Sequence, residues 1–236
     1  MGTMTMQEVN LSPGEIIEIL GNNKLRIIQD KNNYCFSQDS ILLSGFVKVR
    51  YGERVIDLGT GCAIIPLMIY NPTKKNTIFA VEIQEKLANI ARRNVSLNNL
   101  EESISVISDD MRNLFKQFQS ESFDVATANP PYIPLGKGKQ NVRKSQLLAR
   151  HEINIDLESL ISICHFLLKK RGRLYLIHRA DRLIPVVMLL KKYQFEPKLL
   201  QFIHTRKNEK AKRFLIESRK EGGTELEVLS PRLLNH

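Results

Sequence analysis

No apolar stretch in the 236 residues is long enough to cross a bilayer; runs such as Leu183 to Leu190 fall far short of the roughly 20 residues a spanning helix needs. The segment Met1 to Ser12 lacks a basic region followed by an apolar core, so no export leader and no membrane partner are expected, and the expected location is cytoplasmic. Cysteine is scarce. Cys35, Cys62 and Cys164 are far apart and odd in number, which argues against a disulfide framework or a zinc site and leaves reduced thiols with packing roles. No repeats or low-complexity tracts are present, and 42% hydrophobic content suffices for one domain, or one domain with a small appendage.

Acidic residues are scarce in one region. From Lys137 to Lys220 there are 21 Lys and Arg against 7 Asp and Glu, whereas the remaining chain carries 14 against 18. The net charge of +10 is therefore concentrated in the second half. A polyanion such as RNA would be the natural partner of that surface; plain solvation is the alternative.

From Arg54 onward, short β-branched runs alternate with amphipathic stretches, the pattern of an α/β sheet covered on both faces. Arg54 to Leu58, Thr77 to Glu82, Ile104 to Ser108, Phe123 to Ala128 and Arg173 to His178 read as five strands. Gln84 to Asn98 carries Leu87, Ile90, Ala91 and Val95 at helical spacing, and Leu157 to Lys170 and Asp181 to Tyr193 read as further crossover helices. Pro197 to His204, Arg213 to Arg219 and Glu225 to Leu229 follow without intervening helices, so the sheet is expected to end in an antiparallel hairpin. Near the start, Ile16 to Leu20 and Leu25 to Gln29 flank Gly21-Asn22-Asn23, a hairpin signal. Residues 1–35 are expected to form this appendage and residues 36–236 the main domain.

The most informative motif is Asn129-Pro130-Pro131-Tyr132, directly after the fourth strand. Two prolines end a strand abruptly and fix an amide, a carbonyl outside the sheet and an aromatic ring at a strand's carboxyl end, where open α/β sheets bind ligands. The Asn129 side-chain oxygen and the Pro130 carbonyl can accept both hydrogens of an exocyclic amine while Tyr132 stacks on its ring. A rigid turn with no such role is the simpler reading of the motif in isolation.

Asp57-Leu58-Gly59-Thr60-Gly61-Cys62-Ala63-Ile64 follows the first strand and opens a helix. Gly59 and Gly61 permit close approach of a ligand, but a dinucleotide fingerprint would need a third glycine at Ile64. Asp57 would repel a pyrophosphate and suits a cofactor with a cationic amino group, as S-adenosylmethionine has. Glu82, ending the second strand, is placed to accept from two ribose hydroxyls, and Asp110, in preference to Asp109, to accept from the adenine amine of the cofactor. No metal is required. Asp39-Ser40 before Ile41-Leu42-Leu43 reads as a helix N-cap.

These residues resemble the class I S-adenosylmethionine-dependent methyltransferases. The narrower set Phe36 to Leu43, Asp57 to Ala63, Asn129 to Tyr132, Ala149-Arg150-His151-Glu152 and His178 to Leu183 is similar to the bacterial tRNA1(Val) adenine N(6)-methyltransferase family. The resemblance implies a Rossmann-like, mostly parallel sheet, S-adenosylmethionine as donor, and methylation of the adenine immediately 3′ of the anticodon in tRNA. It implies that Asp39 and Ser40 lie under the methionine part of the cofactor. Asn129, Pro130, Pro131 and Tyr132 would be catalytic, and His151, Arg179 and Arg182 would face the RNA. Ala63 stands where that family usually has a third small glycine. Glutamine in a protein and the 2-amino group of guanine in ribosomal RNA share the donor pattern of adenine, and a non-catalytic RNA-binding protein would share the fold.

Overall fold

A computed structural model describes residues 11–21, 25–30, 37–130 and 157–234. Pro131, Tyr132, His151, Glu152, Cys35 and Asn22-Asn23 lie outside the described residues.

Strands β1 (Glu15–Leu20) and β2 (Leu25–Asp30) pair antiparallel as a separate ribbon. Helix α1 (Gln38–Phe46) follows, then β3 (Arg54–Leu58), α2 (Ile64–Ile69), β4 (Thr77–Glu82), α3 (Glu85–Leu97), β5 (Ile104–Ser108) and β6 (Phe123–Ala128). The second half contributes α4 (Leu157–Leu167), β7 (Leu168–Arg179), α5 (Leu183–Lys192), β8 (Phe195–His204), β9 (Arg213–Lys220) and β10 (Glu227–Leu233). The main sheet has eight strands in the order β10-β8-β9-β7-β6-β3-β4-β5. Only β9 runs antiparallel to its neighbours.

The central strands are buried on both faces, so they read as continuous apolar runs. Alternate residues divide between two cores. Val55, Val125, Tyr175 and Ile177 pack with α1, α2 and α3 on one face; Ile56, Ala126, Leu174 and Leu176 pack with α4 and α5 on the other. Strands β3 to β6 have the bounds their sequence predicts, because turn residues flank each short run.

Elsewhere the bounds shift, most of them by one or two residues, and β7 starts five residues earlier than expected and β10 ends four later; three differences have a clear cause. The helix expected to reach Lys170 stops at Leu167, because the chain becomes extended at Leu168, which pairs with Phe123 across a register shift in β6. The helix expected from Asp181 begins at Leu183 after a 3-10 turn, Ala180–Arg182; Pro185 has no N–H to give and so belongs in a first turn. Finally, β8 and β9 form the expected hairpin, but the chain then passes the start of β8 and adds β10 parallel to its outer edge. Pro231 falls at a register shift in this edge strand, where the missing donor costs least.

The amino-terminal ribbon is docked on α3 by a ladder of side chains. Asn94 Oδ1 accepts from Ile28 N at 2.6 Å, and Asn94 Nδ2 donates to Ile28 O at 3.2 Å. One turn on, Asn98 repeats the pattern with the N–H and carbonyl of Arg26, at 3.0 and 2.8 Å. Two amides spaced i, i+4 on a helix thus stand in for a neighbouring strand and satisfy the edge of β2. Ion pairs Arg93–Glu15 and Lys86–Asp30 flank the ladder, and Ile27 and Ile28 are wholly buried in the core of the main sheet.

Candidate active site

The parallel register brings the carboxyl ends of four strands together. Leu58 pairs with both Val81 and Ala128, and Glu82 with Ser108, so Asp57, Glu82, Asp109-Asp110 and Asn129 share one edge of the sheet. The loop after β3 is clipped over the end of β4, with Gly59 N and Thr60 N both donating to Val81 O at 2.9 Å. Its tight path requires left-handed backbone at Gly59 (φ 72°), Gly61 (φ 58°) and Ala63 (φ 64°). A side chain in this region costs about 1–2 kcal/mol, so Ala63 holds a conformation that glycine would adopt more easily.

Asp57 is 1% exposed. Its Oδ1 accepts from Thr127 Oγ1 at 2.5 Å, the residue opposite it on β6. Its Oδ2 and the neighbouring Thr60 Oγ1 are buried close together, and neither makes a well-formed hydrogen bond among the described residues. Burial pushes the Asp57 carboxyl up to about 6, against the stabilising hydroxyls of Thr127 and Thr60 and helped by the nearby Glu82. Such an orphaned acceptor costs about 1–3 kcal/mol until something donates to it. A ligand carrying an ammonium group would do so.

Glu82, also buried, ties the loop after β3 to the loop after β4: Oε2 accepts from Gly61 N at 2.9 Å and Oε1 from Gln84 N at 3.0 Å. Burial raises its pKa while these backbone donors oppose the shift. Each carboxylate oxygen keeps lone-pair capacity for a further donor such as a sugar hydroxyl. At the end of β5, Asp110 caps the 3-10 turn Met111–Lys116 through Arg112 N at 2.9 Å and pairs with the Arg112 guanidinium. That pairing holds its carboxyl below the usual range. Asp109 accepts from Asn113 Nδ2 at 2.9 Å and from Gln117 Nε2 at 2.5 Å.

Asn129, immediately after β6, donates from Nδ2 to Ser37 Oγ and Ser40 Oγ, both at 3.1 Å. Ser37, not Asp39-Ser40, is the N-cap residue of α1, which starts at Gln38. Asp39 lies in the first turn and its Oδ2 accepts from Arg213 Nε at 2.9 Å. The first turn of α1 is thereby pinned between β6 and β9. Pro130 is buried beside Asn129.

Further along the same edge, His178 is buried and stacks on Phe214, and its Nδ1 accepts from Arg179 N at 2.9 Å. Burial, with the surrounding Arg182, Arg179 and Arg213 charges against Asp181, holds it down to about 4. Arg179 is ion-paired with Asp181; Arg182 is exposed and has no ion pair among the described residues. Cys62 and Cys164 are buried, and no cluster of potential metal-ligating residues occurs among the described residues. No helix among them is long and apolar enough to cross a membrane.

Sequence reasoning did not single out Ser37, Thr127, Asn94 or Arg213. Only Thr127 left a local signal, a polar residue inside a buried strand.

The strand order, with a single antiparallel strand third from one edge and acids at successive strand ends, is that of an α/β methyltransferase fold. Among solved structures, a predicted O-methyltransferase from Agrobacterium tumefaciens superimposes with a TM-score of 0.66 over 84% of this chain and 88% of its own, at 22% identity. Residues 35–193 match the methyltransferase small domain, and the chain belongs to that family. Among curated relatives, the tRNA1(Val) (adenine(37)-N6)-methyltransferase of Tolumonas auensis is 32% identical over 155 residues, 65% of this chain and 63% of that protein. The enzyme of the same name from Bacteroides thetaiotaomicron is 31% identical over 144 residues, 61% of this chain and 59% of that protein. The chain thus spans about three fifths of the length of these relatives.

Proposed function

We propose that this protein transfers a methyl group from S-adenosylmethionine to the 6-amino group of an unpaired adenine in tRNA, the adenine 3′ of the anticodon of a valine tRNA, in the cytoplasm. The observation that carries the proposal is the Asn129 amide, turned by two serine hydroxyls on the sheet edge that also carries Asp57 and Glu82. The printed names of the curated relatives support the substrate.

The residues present fit the donor. Asp57 has a buried oxygen that would meet a cation, Glu82 would take the ribose hydroxyls, Gly59 and Gly61 allow close approach, Asp110 would take the adenine amine, and Asp39 and Ser40 would lie towards the methionine part. When bound, S-adenosylmethionine supplies an electrophilic methyl on a sulfonium, with no metal needed. The chain's own contribution is to hold and polarise the nucleophile. Asn129 Oδ1 and the Pro130 carbonyl accept the two amine hydrogens, which favours a pyramidal nitrogen and stabilises the positive charge that develops on it. Pro131 would fix the turn and Tyr132 would stack on the base, as their order in the sequence suggests. An unpaired loop base costs less to draw into the crevice than one in a duplex. Holding donor and acceptor in line supplies most of the rate. Arg182, with Arg179 and His151, would face the RNA.

The test is incubation with labelled S-adenosylmethionine and, separately, total tRNA, ribosomal RNA, duplex DNA and release-factor protein, followed by digestion. Label recovered as N(6)-methyladenosine from tRNA is the expected result. Label confined to methylguanosine in ribosomal RNA or to methylglutamine would replace the reading, and tRNA retention without transfer would make this an RNA-binding protein.

A further inference from the structure

We infer that the loop joining β8 to β9, residues 205–212, is a phosphate-binding surface that grips the RNA strand on one side of the target base. The inference deepens the proposed function and rests on it for the identity of the polyanion.

The loop reads Thr-Arg-Lys-Asn-Glu-Lys-Ala-Lys and is followed by Arg213, so Arg206, Lys207, Lys210 and Lys212 face a single acid, Glu209. Glu209 cannot neutralise them all. It lies 3.5 Å from Arg206 and 4.0 Å from Lys212, while Lys207 and Lys210 are exposed and have no ion pair among the described residues. Exposed cations without partners keep their full charge for a ligand at little desolvation cost.

Position distinguishes this cluster from the rest of the basic half. Strand β8 runs parallel to β6 and β7, so its carboxyl end and the loop that follows lie on the Asn129 edge. In the order β6-β7-β9-β8 that loop stands two to three strand spacings across the sheet from Asn129, about 10–14 Å at roughly 4.8 Å each, and begins about three residues further along the strands, about 10 Å at roughly 3.3 Å each. That is within reach of the nucleotides flanking a base held at Asn129. At the opposite edge the cations are largely engaged: Lys169 with Asp124 at 2.7 Å, Lys170 with Glu221 at 3.2 Å, Arg219 with Glu217 at 3.1 Å, and Lys198 with the carbonyls of Gly223 and Thr224.

The loop is also held in shape and joined to the site. His204 Nδ1 bonds to Glu209 O at 2.8 Å, Lys212 N donates to Ile203 O at 2.9 Å, and Ala180 N donates to Lys212 O at 3.1 Å, next to Arg179 and Arg182. At its base Arg213 bonds Asp39 on α1, the helix whose Ser40 holds Asn129. A preformed loop loses little entropy on binding a strand.

The experiment measures tRNA affinity as a function of salt for the wild type, for Lys207→Gln/Lys210→Gln/Lys212→Gln, and for the control Lys169→Gln/Lys170→Gln/Arg171→Gln at the far edge. Each lost phosphate contact lowers the slope of log affinity against log salt by about 0.7 on a single strand. The loop variant should therefore flatten it by about 2. It should also lose at least about tenfold in kcat/KM for tRNA, at unchanged cofactor affinity, while the control keeps the wild-type slope. An unchanged slope in the loop variant, an equal loss in the control, or a wild type that binds no RNA would each overturn the inference. Loop-dependent RNA binding by a protein that transfers no methyl would uphold this surface and remove the proposed function instead.

Discussion

Asn129 and Ser40, 89 residues apart, meet at 3.1 Å, with the amide nitrogen of the asparagine donating to the serine hydroxyl. The same nitrogen donates to Ser37 Oγ, so both of its hydrogens are directed at α1. An amide is planar with oxygen and nitrogen diverging, and fixing one end fixes the other. The two serines therefore determine which way the acceptor oxygen is aimed.

Removing both hydroxyls, Ser37→Ala with Ser40→Ala, should lower kcat for methyl transfer about tenfold, the equivalent of about 1.4 kcal/mol, the upper end of one net hydrogen bond. Asn129→Ala should lose about 100-fold or more. Single-turnover rates together with cofactor titration check both. A rise in cofactor Kd at constant kcat would instead put Ser40 on the cofactor.

Asn94 carries three hydrogen bonds at once, to both backbone groups of Ile28 and, at 3.0 Å, to Cys62 O in the glycine loop after β3. Asn94→Ala should destabilise the fold by about 3 kcal/mol, because buried backbone groups lose their partners, and should also weaken cofactor binding. Asn94→Asp keeps an acceptor for Ile28 N but sets a carboxylate against two carbonyls, so it should recover neither property. Asn98→Ala, at a less buried site, should cost about 1 kcal/mol and leave cofactor binding alone. Urea unfolding and cofactor titration read the two effects separately.

Asp57 has a folded pKa of about 6, above its ordinary 3.8. The stability tied to its protonated form is full below about 4 and is lost as pH rises through about 6, amounting to up to about 3 kcal/mol at 1.36 kcal/mol per unit. Asp57→Asn should thus be more stable than wild type at pH 7 and little different at pH 4. A cationic ligand needs the ionised carboxylate, so wild-type affinity for S-adenosylmethionine should rise from pH 5 to 7. The variant should bind weakly with no such dependence. Thermal melts and titrations across that range are the measurements.

His178 behaves oppositely. Its folded pKa of about 4 lies below the ordinary 6.5, so the unfolded chain takes up the proton first and stability falls as pH drops from 6.5 towards 4. His178→Gln, which can still accept from Arg179 N, should flatten that acid limb relative to wild type. Stability curves of the two proteins should therefore diverge below pH 6.5 and run parallel above it.

Much of the fold was legible because its signals are local. The bounds of β3 to β6 follow from β-branched runs closed by Gly, Asp, Asn and Pro, and the acids at Asp57 and Glu82 were recognisable because they end such runs. The end of α4 was not, since Leu168 becomes extended only by pairing with Phe123, 45 residues earlier in the chain. The place of β10 was hidden for the same reason: a strand's composition states that it will pair, not which edge it will join or in which direction.

By itself the sequence determined an alternating α/β chain, a glycine loop with an acid before it, an Asn-Pro-Pro-Tyr turn after the fourth strand and a basic second half, all set by residue type and short-range spacing. Tertiary structure alone decided that Ser37 and Ser40 orient Asn129, that Asn94 ties the amino-terminal ribbon to the glycine loop after β3, and that the 205–212 loop shares an edge with the candidate site. These contacts join residues dozens of positions apart. They exist only once burial of two apolar faces has brought the strands into one sheet, and no local period records them.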